Sequence, residues 1–140
     1  MAGPRGSSVP EKTGAAVLRL LLRHERPLGG SELARLLAAD TGTRVHANTV
    51  YRALRWLIDG GRVRRIASRR SYAAIPFDAQ GDFLILLCSR CERATHVAAP
   101  EIVRDIEAAA RRAGFRAEAL YLEMIGQCPH CRRDEGAYAA

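Results

Sequence analysis

The residues of this chain that are best suited to chemistry are its four cysteines, which stand in two pairs of identical spacing. Cys88 and Cys91 form the first Cys-x-x-Cys pair, and Cys128 and Cys131 form the second. Each pair turns tightly enough to direct two sulfur atoms at one point, so two pairs supply the four thiolates of a tetrahedral zinc site. The 36 residues between the pairs leave room for a folded unit. The spacing therefore predicts one structural Zn²⁺ per chain.

Two other uses of the cysteines compete with zinc binding. Two disulfides would require an oxidising compartment, whereas residues 1–8 lack the apolar core of a secretory signal. A thioredoxin-type redox site expects one pair at the start of a helix in a βαβ unit, and neither pair has that context. The apolar run 83–87 is too short to span a membrane. The expected location is the cytoplasm.

The net charge of +7 is distributed unevenly along the chain. Residues 1–75 carry 14 basic and 5 acidic side chains, whereas residues 76–140 carry 8 basic and 10 acidic ones. Within 44–70 there are eight arginines and a single acid, Asp59. A compositional preference for arginine could raise the total charge, but it would not by itself segregate that charge. The pattern indicates that the first half binds a polyanion such as nucleic acid.

The first half has the pattern of three short helices followed by a basic hairpin. Apolar residues within 17–22 have helical spacing, Ser31 is a predicted N-cap of the second helix, and Asn48 is a predicted N-cap of the third. Residues 62–75 predict two strands joined by an arginine-rich turn. Three helices and a hairpin describe a winged helix-turn-helix, in which the third helix enters the major groove of DNA.

The second half predicts a strand at 82–88, a helix at 100–114 and one or two strands within 115–126. A unit of this size is small for a stable monomer, and the strand at 83–87 offers an edge for pairing with a second copy. The predicted fold class is α+β, with an N-terminal winged helix-turn-helix domain followed by a small α/β dimerisation domain that carries the four-cysteine zinc site. The predicted boundaries are a disordered tail at 1–12, the DNA-binding domain at 13–75, a hinge at 76–82, the zinc-stabilised dimerisation domain at 83–133 and a disordered tail at 134–140.

Together these motifs resemble those of the ferric and zinc uptake regulators, a family of bacterial metalloregulatory transcription factors. The resemblance rests on the run from Asn48 to Arg52, on 87–91 and 126–131 around the cysteine pairs, and on Gly114 with its following phenylalanine. It covers roughly residues 15–133. It implies a homodimeric repressor that binds double-stranded DNA at a palindromic operator. The zinc-bound C-terminal domains would dimerise.

The resemblance also implies which residues contact DNA. The positions of Tyr51 and Arg52 would approach bases and phosphates from the third helix. Arginine can donate two hydrogen bonds to guanine, and a tyrosine ring can pack on a thymine methyl group. Arginines elsewhere in this half would mostly contact phosphates. The predicted DNA-binding set is Asn48, Thr49, Tyr51, Arg52, Arg55, Arg64 and Arg69.

The chain departs from the family at the regulatory metal site. Members that sense metal usually carry a histidine-rich run before the first cysteine pair and another histidine before the second pair. This chain has no histidine in 77–88 or in 115–127. The candidate ligands of a degenerate regulatory site are Asp82, His96 and Glu101. The pattern thus leaves two predictions, a degenerate second metal site or no second site.

Three functions follow as alternatives. The first is a DNA-binding repressor of this family that responds to zinc. The second is a regulator of the same type that no longer senses metal and is controlled by a partner or another ligand. The third is a zinc-ribbon and winged-helix module that docks on a protein. An enzyme is not predicted, because no nucleophile with a positioned base is evident.

Overall fold

The computed structural model describes residues 8–76 and 81–138 of the 140-residue chain. The chain divides into two compact units, Met1–Ile75 and Pro76–Ala140. None of the helices in the described ranges has the length and apolar character that a membrane crossing requires.

Helix α1 (Val9–His24) begins with a capping box. The Ser8 hydroxyl accepts a hydrogen bond from the Glu11 amide at 3.4 Å, and the Glu11 carboxylate accepts one from the Ser8 amide at 2.8 Å. These bonds satisfy amide groups that a helix N-terminus leaves without partners. Residues 9–12, which the sequence pattern assigns to a tail, are therefore helical.

Helices α2 (Gly30–Thr41) and α3 (Ala47–Asp59) pack with α1 around one hydrophobic core. Helix α3 contributes four buried residues, Val50, Ala53, Leu54 and Leu57. The helical spacing correctly predicted Val50, Leu54 and Leu57, but Ile58, which it also assigned to the buried face, is 39% exposed. Burying each large apolar side chain stabilises the unit by about 1.5–3 kcal/mol, so this core fixes the orientation of α3. The core cluster consists of Val17, Leu20, Leu21, Leu28, Leu33, Leu37, Val50, Ala53, Leu54, Leu57 and Val63.

The two predicted N-caps of α2 and α3 are wrong. The N-cap of α2 is Gly29 and that of α3 is His46, and neither provides a side-chain capping bond. Ser31 and Asn48 each lie two residues later, within the first turn. In both cases the chain enters the helix before it reaches the residue with the best capping side chain.

The wing is an antiparallel hairpin of strands β1 (Val63–Ile66) and β2 (Ser71–Ala74). A 3-10 turn and the left-handed Arg70 (φ 46°) join them. Leu28 and Tyr72 exchange two backbone hydrogen bonds of 2.9 Å, which attach the wing to the segment before α2. The hairpin predicted from the sequence is thus confirmed.

The second unit is a three-stranded sheet with two helices. The elements are β3 (Phe83–Cys88), β4 (Ala94–Ala98), α4 (Pro100–Arg112), β5 (Glu123–Gly126) and α5 (Pro129–Tyr138). The strand order is β4-β3-β5, with β3 antiparallel to β4 and parallel to β5. The parallel pair requires a crossover connection, which contains α4.

Several elements of this unit differ from the sequence-based expectation. Strand β4 and helix α5 were not predicted, and α5 extends into the segment 134–140 that was expected to be a tail. Within 115–126 only β5 forms, and Phe115 is 72% exposed. The prediction of one or two strands within 115–126 is thus confirmed by β5, which pairs with β3, whereas residues 115–122 form no strand. Residues 77–80 of the predicted hinge lie outside the described ranges.

Candidate metal centre and nucleic-acid interface

The four cysteines come together at one end of the second unit. Their sulfur atoms all lie within 4.8 Å of one another, and the sulfurs of Cys91 and Cys128 are 3.8 Å apart. A tetrahedron with zinc–sulfur bonds of about 2.3 Å has edges of about 3.8 Å. A disulfide requires about 2.05 Å, and all four thiols are free. The arrangement therefore fits four-thiolate zinc binding and not two disulfides.

Backbone amides orient the sulfur atoms. The Cys91 and Cys128 amides donate to the Cys88 sulfur at 3.5 and 3.4 Å, and the Cys131 amide donates to the Cys128 sulfur at 3.5 Å. The Ser89 amide donates to the carbonyl of Gly126 at 2.7 Å, which joins the two cysteine turns. The cluster is thus held by the ends of the neighbouring parallel strands β3 and β5.

The same contacts shift the pKa values of the thiols in different directions. Amide hydrogen bonds from Cys91 and then Cys128 lower the pKa of Cys88 to about 5. The Cys131 amide lowers the pKa of Cys128. Burial, followed by the neighbouring Cys128 thiol, raises the pKa of Cys131 to about 12. Four thiolates cannot share this space without compensation, and a divalent cation is the charge that resolves the conflict.

Helix α5, which the sequence analysis missed, carries the last ligand. Arg90 in the first cysteine turn donates to the Cys131 carbonyl at 3.3 Å and forms an ion pair with Glu135 at 3.4 Å. Gln127 donates to Glu135 at 3.0 Å. A signal for this helix was present in the sequence, because Pro129 directly after Cys128 is favoured at the first position of a helix.

The three candidate regulatory ligands are not gathered into a comparable site. Within residues 8–76 and 81–138, the cysteine cluster is the one group of three or more His, Cys, Asp or Glu side chains whose ligand atoms converge. The half-buried His96 ring packs edge-on against Phe83, with centroids 5.0 Å apart. Asp82 and Glu101 are exposed. Their role as ligands stays a prediction.

The solvent-facing side of α3 carries most of the predicted DNA-binding residues. Asn48, Arg52 and Arg55 are exposed, Thr49 is half-buried, and 46% of Tyr51 is accessible. All five belong to a helix whose opposite face is fixed in the core. This rigid polar face is the geometry that base reading requires.

The predicted wing residues are less accessible than those of α3. Arg64 on β1 and Arg69 in the turn are both half-buried, whereas Arg65 and Arg70 are exposed. All four arginines were expected to contact phosphates, but only Arg64 and Arg69 were included in the predicted DNA-binding set, and these are the two less exposed ones. Successive side chains of a strand point to opposite faces, so the sequence already predicted that Arg64 and Arg65 would differ in exposure.

A cavity of about 320 Å³ adjoins the start of α3 and was not foreseen from the sequence. Lys12, Arg44 and His46 line it together with hydroxyl groups that include that of Thr49. The cavity extends the basic surface from α3 towards α1. The residues that could have indicated this cavity from the sequence are Arg44, in the α2–α3 turn, and Lys12, in the first turn of α1.

Comparisons with known proteins agree with this architecture. Residues 13–125 match the ferric uptake regulator family. None of the curated proteins matches the chain individually. The crystal structure of holo XcZur is 29% identical, with a TM-score of 0.79 over 92% of this chain and 89% of that one.

Two further structures extend the comparison. A zinc uptake regulator complexed with zinc and DNA is 25% identical, with a TM-score of 0.81 over 94% of this chain and 86% of that one. The ferric uptake regulator of Helicobacter pylori, at 18% identity and a TM-score of 0.56 over 86% of this chain and 80% of that one, shares the fold. Because the family match covers most of the sequence, the protein belongs to the ferric uptake regulator family.

Proposed function

We propose that this protein is a sequence-specific transcriptional regulator that binds a palindromic operator as a homodimer and represses the adjacent genes. The observation that carries the proposal is the face of α3, where polar and basic side chains are exposed on a helix anchored by four buried residues. Its similarity to a zinc uptake regulator solved with zinc and DNA supports the same function. Because the proposed operator is part of the bacterial chromosome, the protein would work in the cytoplasm.

In this proposal α3 lies in the major groove. Arg52 donates to the O6 and N7 atoms of a guanine, and the Tyr51 ring packs on a thymine methyl group. Asn48 and Thr49, at the N-terminal end of α3, lie at the part of a recognition helix that contacts base edges. The net charge of +9 over residues 1–75 supplies the attraction to phosphates.

Arg55 and the wing arginines position the protein on the duplex. Arg64 and Arg69 would contact phosphate oxygens, which fix register and orientation without reading sequence. Each neutralised phosphate releases condensed counterions, so affinity should fall steeply as salt increases.

The cysteine cluster has a structural part in this function. Bound zinc would join the end of β3 to the start of α5 and neutralise the thiolates of Cys88, Cys91, Cys128 and Cys131. The cluster contains its four ligands within the second unit and leaves no coordination position for a substrate.

A second candidate concerns how the regulator is controlled. The candidate ligands Asp82, His96 and Glu101 form no converging group among the described residues. The lack of histidine in 77–88 and 115–127 favours a regulator that is controlled by its own concentration, a partner or another ligand over one that senses zinc at a second site. Metal content per chain, measured by mass spectrometry after zinc loading and dialysis against a mild chelator, distinguishes them. One retained equivalent supports the metal-independent form, and loss of a weaker second equivalent supports zinc sensing.

Selection from a library of random duplexes tests the main proposal. The zinc-loaded protein is expected to enrich one sequence with two half-sites related by a twofold axis, since a homodimer presents two equivalent α3 helices. Recovery of unrelated sequences in every round would instead favour a protein-docking module.

A further inference from the structure

Tyr51 of α3 rests on the first residue of α2. A β-carbon placed on Gly30 would lie 2.6 Å from Cζ of Tyr51 and 2.7 Å from its Cε1 and Oη atoms. The tyrosine ring therefore occupies the space in which any other residue would place its side chain. Gly30 is buried, yet 46% of Tyr51 remains exposed.

The backbone of α2 gives no other reason for glycine at this position. Gly30 is not among the residues with positive φ, so its conformation is open to ordinary L-amino acids. Within a helix, glycine is among the least favourable residues, and alanine is the most favourable. The structural feature that requires glycine here is the contact with the tyrosine ring.

We propose that Gly30 is a positioning residue for sequence recognition, because its missing side chain lets Tyr51 lie across the start of α2 and present its exposed edge in one direction. This inference rests on the proposed DNA-binding function. Tyr51 is anchored at its backbone in α3 and at its ring by α2, so the orientation of the ring depends on both helices of the helix-turn-helix.

The consequence of adding a methyl group follows from the distances. Carbon atoms in contact lie about 3.5–4.0 Å apart, so a methyl group at 2.6 Å would displace the ring by about 1 Å or more. The contacted atoms are at the far end of a partly exposed side chain, which can swing outwards without unfolding the core. A base-reading group tolerates only about 0.5 Å of displacement before recognition suffers. Gly30→Ala should therefore impair recognition more than stability.

Gly29 provides a matched control. A β-carbon on Gly29 would have no neighbour within 4 Å, and its φ of −75° suits alanine. The experiment compares the full-length, zinc-loaded variants Gly29→Ala and Gly30→Ala on the duplex that the wild-type protein enriches from a random library. Gly30→Ala should weaken binding to that duplex by at least about fivefold, the lower end of the loss of one base contact. Gly29→Ala should remain within about twofold of the wild type.

The Tyr51→Ala background tests whether Gly30 acts through Tyr51. Once the ring is absent, Gly30→Ala should cause no further loss, because the two residues share one effect. If Gly30→Ala lowers the melting temperature, adding Tyr51→Ala should restore it. In the free protein, a nuclear Overhauser contact between the Tyr51 ring and the Gly30 α-protons should be present.

Three results would overturn the inference. They are unchanged affinity of Gly30→Ala, an equal loss in the Tyr51→Ala background, and absence of the nuclear Overhauser contact. Failure of the wild-type protein to enrich any duplex is a separate result, seen before a variant is made. It would refute the proposed function, and this inference with it.

Discussion

Removal of the metal ion is expected to unfold the unit Pro76–Ala140 while the unit Met1–Ile75 stays folded. The perturbation is either a strong chelator or the variant Cys128→Ser, which replaces one thiolate by a hydroxyl group. Ser89→Ala is the matched control, because Ser89 is an exposed residue between two ligands and supplies none itself.

The expected magnitude follows from the cores of the two units. Among the described residues of the second unit, the large apolar side chains that are buried are Phe83, Ile85, Leu87 and Val103. At about 1.5–3 kcal/mol each they contribute about 6–12 kcal/mol. A structural zinc site contributes about 10–16 kcal/mol, which corresponds to a dissociation constant between about 50 nM and about 2 pM. The contribution of the metal is thus comparable to that of the core or larger, whereas the first unit has an extensive core of its own.

Amide hydrogen exchange and tryptophan fluorescence report separately on the folding of the two units. After chelation, the amides of Ile85 and Leu87 should exchange rapidly, whereas those of α1 and α3 should keep their protection. Trp56, the single tryptophan of the chain, lies in α3 and should keep its emission spectrum. Retained protection of β3 after complete loss of zinc would refute the reasoning, as would loss of protection in Ser89→Ala.

Three further predictions concern the first unit. Arg52→Ala should weaken binding to the selected duplex by about 1–3 kcal/mol, or about 5- to 150-fold, measured by fluorescence anisotropy at fixed salt. Gly14→Ala would place a methyl group 2.8 Å from the Trp56 ring. The cost of overpacking, about 1–3 kcal/mol, should exceed a gain in helix propensity of about 1 kcal/mol, so the urea midpoint followed by Trp56 fluorescence should fall. The hydrogen bond and charge of Arg26 lower the pKa of Glu32, so their stabilising effect is present above the ordinary carboxyl pKa and lost as pH falls through the lowered value. Glu32→Gln should therefore cost about 0.2–1 kcal/mol near neutral pH and almost nothing in acid, as measured by urea unfolding at both pH values.

Each of these predictions has a distinct contradicting result. Equal affinity of wild type and Arg52→Ala for every duplex would remove Arg52 from the recognition surface. A raised urea midpoint for Gly14→Ala would mean that the Trp56 ring moves away at little cost. A difference between wild type and Glu32→Gln that is the same at both pH values would show that the ion pair with Arg26 is not its cause.

The features predicted correctly from the sequence are those that local pattern determines. The helical spacing of Val50, Leu54 and Leu57 placed the buried face of α3, although Ile58, assigned to the same face, is exposed. The glycines at 60 and 61 marked the end of the helix. The spacing of the cysteines predicted their convergence, since a four-thiolate site imposes its own geometry.

The features that were missed have weak or ambiguous local signals. Strand β4 has five residues, mostly small or polar, and it forms because it pairs with β3. Apart from the buried Cys131, the side chains of α5 that the structure describes are exposed, and several are charged, so no apolar stripe predicts the helix. The start of α1 was not predicted because its capping box, Ser8 and Glu11, lies in a segment that was expected to be a disordered tail.

The separation of the candidate regulatory ligands could not have been foreseen. Asp82, His96 and Glu101 were grouped only because their side chains can bind metal. Their positions depend on strand register and on where α4 begins. His96 lies opposite Ile85 in the sheet, and Glu101 lies in the first turn of the helix that follows. Register is set by pairing over the whole sheet, which short motifs do not encode.

The most direct test of the central claim is the affinity of the zinc-loaded protein for its enriched duplex relative to a scrambled duplex of the same length and composition, both at physiological salt. A regulator that reads sequence through α3 is expected to prefer the enriched duplex by about 10³-fold or more. Equal affinity for the two duplexes would mean that the protein binds DNA through charge alone, and it would contradict the account.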